Sequence, residues 1–111
     1  MALKPVICLG SARDDLKRFP PDARTRAGFE LYRVQQGLEP RGWKPMTSVG
    51  RGVAEIRVRI GREFRVLYVA KFADAIYVLH AFEKKSQKTA QRDLAIAAER
   101  LSELVRSRGG K

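Results

Sequence analysis

Apolar and charged residues alternate over Val53–Ile60: Ala54, Ile56, Val58 and Ile60 interleave with Glu55, Arg57 and Arg59. Successive side chains of a strand point to opposite faces, so this stretch reads as a strand with one apolar and one charged face. After a tight turn at "GRE", "FRVLYVAKF" sets Phe64, Val66, Tyr68 and Ala70 on one face and Arg65, Leu67, Val69 and Lys71 on the other. A turn at "AD" leads into "AIYVLHAF", apolar on both faces, the pattern of a strand covered on both sides in the middle of a sheet.

The flanking segments carry helical periods. "PVICL" reads as a short buried strand, and "GSARDDLKRF" opens a helix with Ser11 as N-cap and Asp14 in capping-box position. Pro20 and Pro21 end it, and Pro21 suits the first turn of a second helix. That helix is expected to run to about Gln36, with Ala23, Ala27, Leu31 and Val34 on one stripe and Gly37 as C-cap under Leu38. "EPRGWKPMTSVGRG" reads as a loop or irregular edge. From Thr89, a natural N-cap, Leu94, Ala98, Leu101 and Val105 recur at helical spacing. The predicted order is β-α-α-β-β-β-α: an α+β fold with helices packed on one face of a small, mostly antiparallel sheet. Residues 1–111 are expected to form a single domain, with 106–111 as a frayed tail.

Charge sharpens this picture. The 111 residues hold 23 Lys and Arg against 12 Asp and Glu, a formal net charge of +11. A surplus of that size creates a field that attracts polyanions, with nucleic acid the first expected partner, ahead of an anionic membrane or an acidic protein. A single cysteine, Cys8, rules out an internal disulfide and reads as a buried thiol, and a lone histidine, His80, argues against zinc. Neither a metal nor any other cofactor is expected. No stretch approaches the roughly 20 apolar residues of a membrane span, and the N-terminus lacks a signal-peptide pattern, so a cytoplasmic location is expected.

The candidate chemistry lies on the charged face. With helices on the opposite side, Arg57, Arg59 and Arg65 converge on an open face, where cross-strand neighbours lie about 5 Å apart. Like charges so close call either for an anion between them, such as a phosphate held bidentately, or for surface ion pairs with Glu55 and Glu63. The segment "HAFEKKSQKT" adds Lys84, Lys85 and Lys88 just after the last strand. RNA carries its own nucleophile, the 2′-hydroxyl, and cleaving it needs in-line positioning, proton transfer and charge stabilisation. His80 could exchange the proton, as could a lysine whose pKa is lowered by cationic neighbours. Alternatively, His80 sits with Ile76 and Val78 in the core, bonded to a backbone group. Two-histidine ribonuclease chemistry, a phosphate-cradling glycine loop and a nucleophile elbow all lack their residues.

"AEIRVRIGREFRVLYVA" followed by "IYVLHAFEKKSQKTAQRDLAIAAERL" resembles the RelE/HigB-like toxins of bacterial type II toxin–antitoxin systems, in their phage-derived HigB-like branch. The likeness runs from about Pro5 to Leu104, and its most specific piece is "LHAFEKKSQKT". It implies a RelE-like fold and an mRNA endoribonuclease that acts on the ribosome, blocks translation and is neutralised by a cognate antitoxin, expected to be a helix-turn-helix protein. By position in the pattern, Arg57 and Arg59 match the basic residues before the hairpin, Arg65 the arginine after it, and Lys84 or Lys85 the basic residue after the last strand. The expected catalytic set is thus Arg57, Arg65, His80, Lys84 and Lys85, with Arg51, Arg59, Arg62 and Lys88 contacting RNA. The catalytic tyrosine of RelE itself has no counterpart after Tyr77, which leaves the acid–base pair open. The same fold in the ParE branch inhibits DNA gyrase without catalysis, and an inactive antitoxin-binding relic is the third reading.

Overall fold

Strands β3 (Val53–Ile60) and β4 (Arg62–Val69) form a hairpin that turns at Gly61 alone. The φ of +66° at Gly61 lies in the left-handed region, where a side chain would strain the backbone. The structure, a computed structural model, describes residues 3–109. Before the hairpin come β1 (Val6–Cys8), helices α1 (Ala12–Lys17) and α2 (Pro21–Gln35), and β2 (Trp43–Pro45); after it come β5 (Ile76–Lys84) and α3 (Gln91–Ser107). The sheet order is β1-β5-β4-β3-β2, with β1 parallel to β5 and every other pair antiparallel. This is the expected α+β class with a mostly antiparallel sheet. Helix α3 carries 106 and 107 of the expected tail, and residues 110–111 lie outside the described residues.

The helices divide between the two faces. Helices α1 and α2 supply Ala12, Ala23, Ala27, Leu31 and Val34, and the turn between them Phe19, to a core with Ile56, Val58, Phe64, Val66 and Val78. On the other face, Ala97, Leu101 and Leu104 of α3 pack on Leu67, Val69, Tyr77 and Leu79. The one-sided packing expected from the sequence therefore holds for α1 and α2, while α3 covers the opposite face. The physical reason is the second apolar series, Leu67 and Val69 with Tyr77 and Leu79, which needs its own cover from water.

Three local features also depart from expectation. The short strand β2 lies inside the segment read as a loop; it pairs Trp43, Lys44 and Pro45 with Ile56, Glu55 and Ala54 at the sheet edge, where proline is tolerated. Ser11 does precede α1, but its hydroxyl donates to Asp15 rather than entering a capping box with Asp14. Helix α3 is preceded by Ala90, so Thr89 is not its cap.

A bulge shapes the last strand. Leu67 pairs with His80 while Tyr68 pairs with Val78, so Leu79 is an extra residue in β5. Beyond it, the alternation of β5 inverts relative to a strand of strict period two. His80, Phe82 and Lys84 thereby join the α3 face, and Ala81 joins the core under α1 and α2.

Candidate nucleic-acid interface

The register sets out the α3 face as rows across the sheet. At the hairpin end, Arg59, Glu63 and Lys84 stand side by side on β3, β4 and β5. The next row is Arg57, Arg65 and Phe82; the third is Lys44, Glu55, Leu67 and His80. Further rows are apolar and lie under α3. Helix α3 covers Phe82 but starts too far along the sheet to reach Arg57, Arg59, Glu63, Arg65 and Lys84, which line an open cleft of about 630 Å³ together with Lys85, Ser86 and Gln87. A smaller hollow of about 420 Å³ continues it past Arg57, Arg65 and Lys84 to Lys44, Glu55 and Lys88.

Within the cleft the arginines are partly paired. Arg57 and Arg65 face each other directly across β3 and β4. Beneath them Glu55, which is 2% exposed, receives a hydrogen bond from Arg57 Nε at 3.0 Å and has Arg65 Nε at 3.5 Å. Arg65 is itself buried at 3% exposure; its Nη1 donates to the Phe64 carbonyl at 3.2 Å and its Nη2 to Glu63 Oε1 at 2.6 Å. Arg65 Nε is buried and makes no hydrogen bond. Glu63 also has Arg59 Nε at 3.9 Å. The hydrogen bond from Arg65, with Arg59 and Lys84 nearby, holds the Glu63 carboxyl below its ordinary range. The Lys84 ammonium donates to the Gln87 carbonyl, which ties the strand end to the loop that follows.

Both sequence readings of the arginines are thus present. They converge on one face, and Glu55 and Glu63 pair with them. Five cationic side chains still share the cleft with two carboxylates, so it stays electropositive. One expectation needs correction: Arg65 belongs to the buried part of the protein, not to an open face. Its planar fork arrives pre-aimed, because β4 and the Phe64 carbonyl fix it before any ligand binds.

The other predicted residues fall elsewhere. His80 lies on the α3 face, not with Ile76 and Val78, because the bulge turns it over. It is 6% exposed, stacks on Phe82 with centroids 5.1 Å apart, and has Nε2 at 2.7 Å from Asp93 Oδ1 on α3. Lys84 lies four positions further along the strand, roughly 13 Å away, and His80 does not line the cationic cleft. Arg62 points to the opposite face, donates two hydrogen bonds to Glu83 at 2.9 and 2.8 Å and lies over the Phe64 ring. Arg51 is exposed in the turn before β3, at the end of that strand away from Arg57 and Arg59. Lys88 lines the hollow beside Lys84.

Sequence reasoning missed Lys44 as a member of this surface, because β2 was hidden in a glycine- and proline-rich stretch. The only available signal was the short apolar–polar pattern "WKP". Among the described residues, no group of three or more His, Cys, Asp and Glu gathers as a metal site, and no helix is long and apolar enough to cross a membrane. Cys8 is half-buried, and burial pushes its thiol up, away from reactivity at neutral pH.

Comparison with curated proteins yields no match. Residues 14–102, which include the cleft and its supporting strands, match the family described as Phage derived protein Gp49-like (DUF891). The chain belongs to this phage-derived Gp49-like family, a RelE-like toxin family associated with toxin–antitoxin systems.

Proposed function

We propose that this chain is the toxin of a type II toxin–antitoxin system and acts as a ribosome-dependent mRNA endoribonuclease. The observation that carries the reading is the cleft in which Arg57, Arg59, Arg65, Lys84 and Lys85 converge at the uncovered end of the sheet. Its dimensions and charge suit a nucleic-acid backbone rather than an apolar protein segment. In the proposed reaction the RNA 2′-oxygen attacks the adjacent phosphorus. A P–O2′ bond forms with loss of the 2′-hydroxyl proton, and the P–O5′ bond breaks as O5′ takes up a proton, leaving a 2′,3′-cyclic phosphate and a 5′-hydroxyl with no net change in protons. Negative charge accumulates on the non-bridging oxygens as phosphorus becomes five-coordinate. Arg65, fixed and shielded from water, and Arg57 beside it stabilise that charge without reorganising. Lys84 shares the phosphate held by Arg65, Lys85 holds a flanking one, and Lys44 and Lys88 extend the track. His80, tied to Asp93 and set back from the cleft, supports the α3 junction and does not carry the proton.

The toxin-like family favours an antitoxin partner, and the basic surface favours one that presents acidic side chains. The test is a coupled transcription–translation reaction with purified protein, with primer extension on the mRNA. Arrested synthesis and new 5′-hydroxyl ends on ribosome-bound mRNA are expected. Normal protein yield with loss of gyrase supercoiling would instead assign the chain to the gyrase-inhibiting branch.

A further inference from the structure

Glu63 occupies an unusual place in the cleft. It is the middle residue of the outermost row, with Arg59 on one neighbouring strand and Lys84 on the other. Its carboxylate accepts from Arg65 Nη2 at 2.6 Å and has Arg59 Nε at 3.9 Å. The two carboxylates of the cleft differ in kind. Glu55 is buried beneath Arg57 and Arg65, whereas the Glu63 side chain is 39% exposed at the cleft mouth. Glu55 is therefore part of the wall, while Glu63 is free to turn outward along an open path.

A carboxylate and a phosphodiester are chemically alike at this position. Each is a monoanion with two equivalent acceptor oxygens, and each fits the same edge of a guanidinium. Arg65 Nη2 is held in a buried side chain, so it needs an anion in front of it whenever Glu63 departs. We propose that Arg59, Arg65 and Lys84 form a phosphodiester subsite, and that Glu63 fills it in the free protein as an internal stand-in that RNA must displace. This rests on the reading of the cleft as an RNA site and adds which phosphate contact is masked. Like any internal competitor, the stand-in lowers the apparent affinity for polyanions by the fraction of time it occupies the subsite. The neighbouring cations keep Glu63 ionised at neutral pH, so the competition persists there.

The test uses full-length protein and a short 2′-O-methyl RNA, which carries the phosphodiesters but lacks the nucleophile. Binding is followed by fluorescence anisotropy over a salt series, with a melting curve for each variant. Glu63→Gln keeps the shape and one acceptor for Arg65 but removes the charge. It is expected to tighten binding about 10-fold at low salt and to steepen the salt dependence by about 0.7 in log–log slope, the increment for one more phosphate neutralised. Glu103→Gln removes the same charge from the exposed side of α3 and is expected to change affinity less than about 2-fold. Glu63→Asp keeps the charge but shortens the reach to Arg65, and should fall between the two. If Glu63→Gln melts with the wild type yet tightens no more than Glu103→Gln, the stand-in is refuted. If Glu63→Gln does not fold, Glu63→Asp binding no tighter than wild type refutes it equally. Translation assays keep the two ideas apart. A chain that arrests translation without this tightening keeps the reaction and loses the subsite; one that tightens without arresting translation keeps the subsite and loses the reaction.

Discussion

One face of one sheet is built in two ways. Toward β1 and the inner ends of β4 and β5, Leu67, Val69, Tyr77 and Leu79 lie dry beneath Ala97, Leu101 and Leu104 of α3. Toward the hairpin, β4 and β5 carry Glu63, Arg65 and Lys84 beside Arg57 and Arg59 of β3, and no helix covers them. The covered part is held by apolar burial, which is non-directional and tolerant of modest reshaping. The uncovered part is held by ion pairs around two carboxylates, an arrangement that adds little net stability but fixes direction. The contrast shows where stability and chemistry reside: the helix ends where the sheet changes from apolar to charged.

The largest expected effect lies in the covered half. Leu67→Ala empties a fully buried site and should cost about 2–5 kcal/mol in urea unfolding, while inhibition of translation per folded molecule stays unchanged. A matching loss of specific activity would show that the two halves are not separable.

Arg65→Ala tests the boundary, because this residue is buried like the covered half and charged like the other. Its removal leaves Glu55 buried with only Arg57, and a destabilisation of about 3 kcal/mol is expected together with loss of mRNA cleavage. If Arg65→Ala unfolds no more easily than wild type, the buried pairing is not structural.

In the uncovered half, Arg57→Ala and the double change Lys84→Ala with Lys85→Ala should each lower single-turnover cleavage on programmed ribosomes by about 10²-fold. The double lysine change should alter stability by less than about 1 kcal/mol, whereas Arg57→Ala, which removes the hydrogen bond to buried Glu55, should cost about 1–3 kcal/mol. Full activity in both variants would remove the cleft from the mechanism. His80→Asn breaks the contact with Asp93 and should cost about 1–2 kcal/mol in unfolding with cleavage retained, placing the histidine on the structural side of the comparison.

Acid should act most weakly. The Glu63 carboxyl is held below its ordinary value of 4.5 by Arg65, and the Glu83 carboxyl by Arg62. Their contribution to stability is therefore complete above pH 4.5 and is lost as pH falls through the lower folded-state values. Melting temperatures recorded from about pH 6 down to about pH 3 should fall, and the fall should be shallower in Glu63→Gln. An identical slope in both proteins would mean that Glu63 is not coupled to folding.

Much of this organisation was legible in the chain. Strict alternation marks Val53–Ile60 residue for residue as β3, and the stripe Ala23, Ala27, Leu31 and Val34 marks the buried face of α2. The same alternation brings Arg57, Arg59 and Arg65 to one face. What the pattern hid depends on partners distant in sequence. Glu30, buried in α2, breaks the helix's polar–apolar logic because Arg26, Arg33 and Arg41 converge on it. Burial of Arg65 depends on Glu55 and Glu63 closing around it, which periodicity does not encode. The side on which α3 docks depends on Leu67 and Val69 outweighing Arg65 in a strand that is mixed on that face. Period two alone sets His80 with Ile76 and Val78, one of the two readings open for it, and the extra residue Leu79 turns it to the other face.

That residue, Leu79, has a consequence for length. A strand with one surplus position can lose a residue anywhere from Leu79 to Glu83 and straighten, leaving Lys84 still opposite Glu63. The same strand cannot gain a residue so easily, since an added one must form a second bulge or turn Lys84 away from the cleft. The end of β5 is thus tolerant of deletion and intolerant of insertion. Members of the family with a shorter run between the apolar strand and its lysines can keep the same cleft on a regular strand.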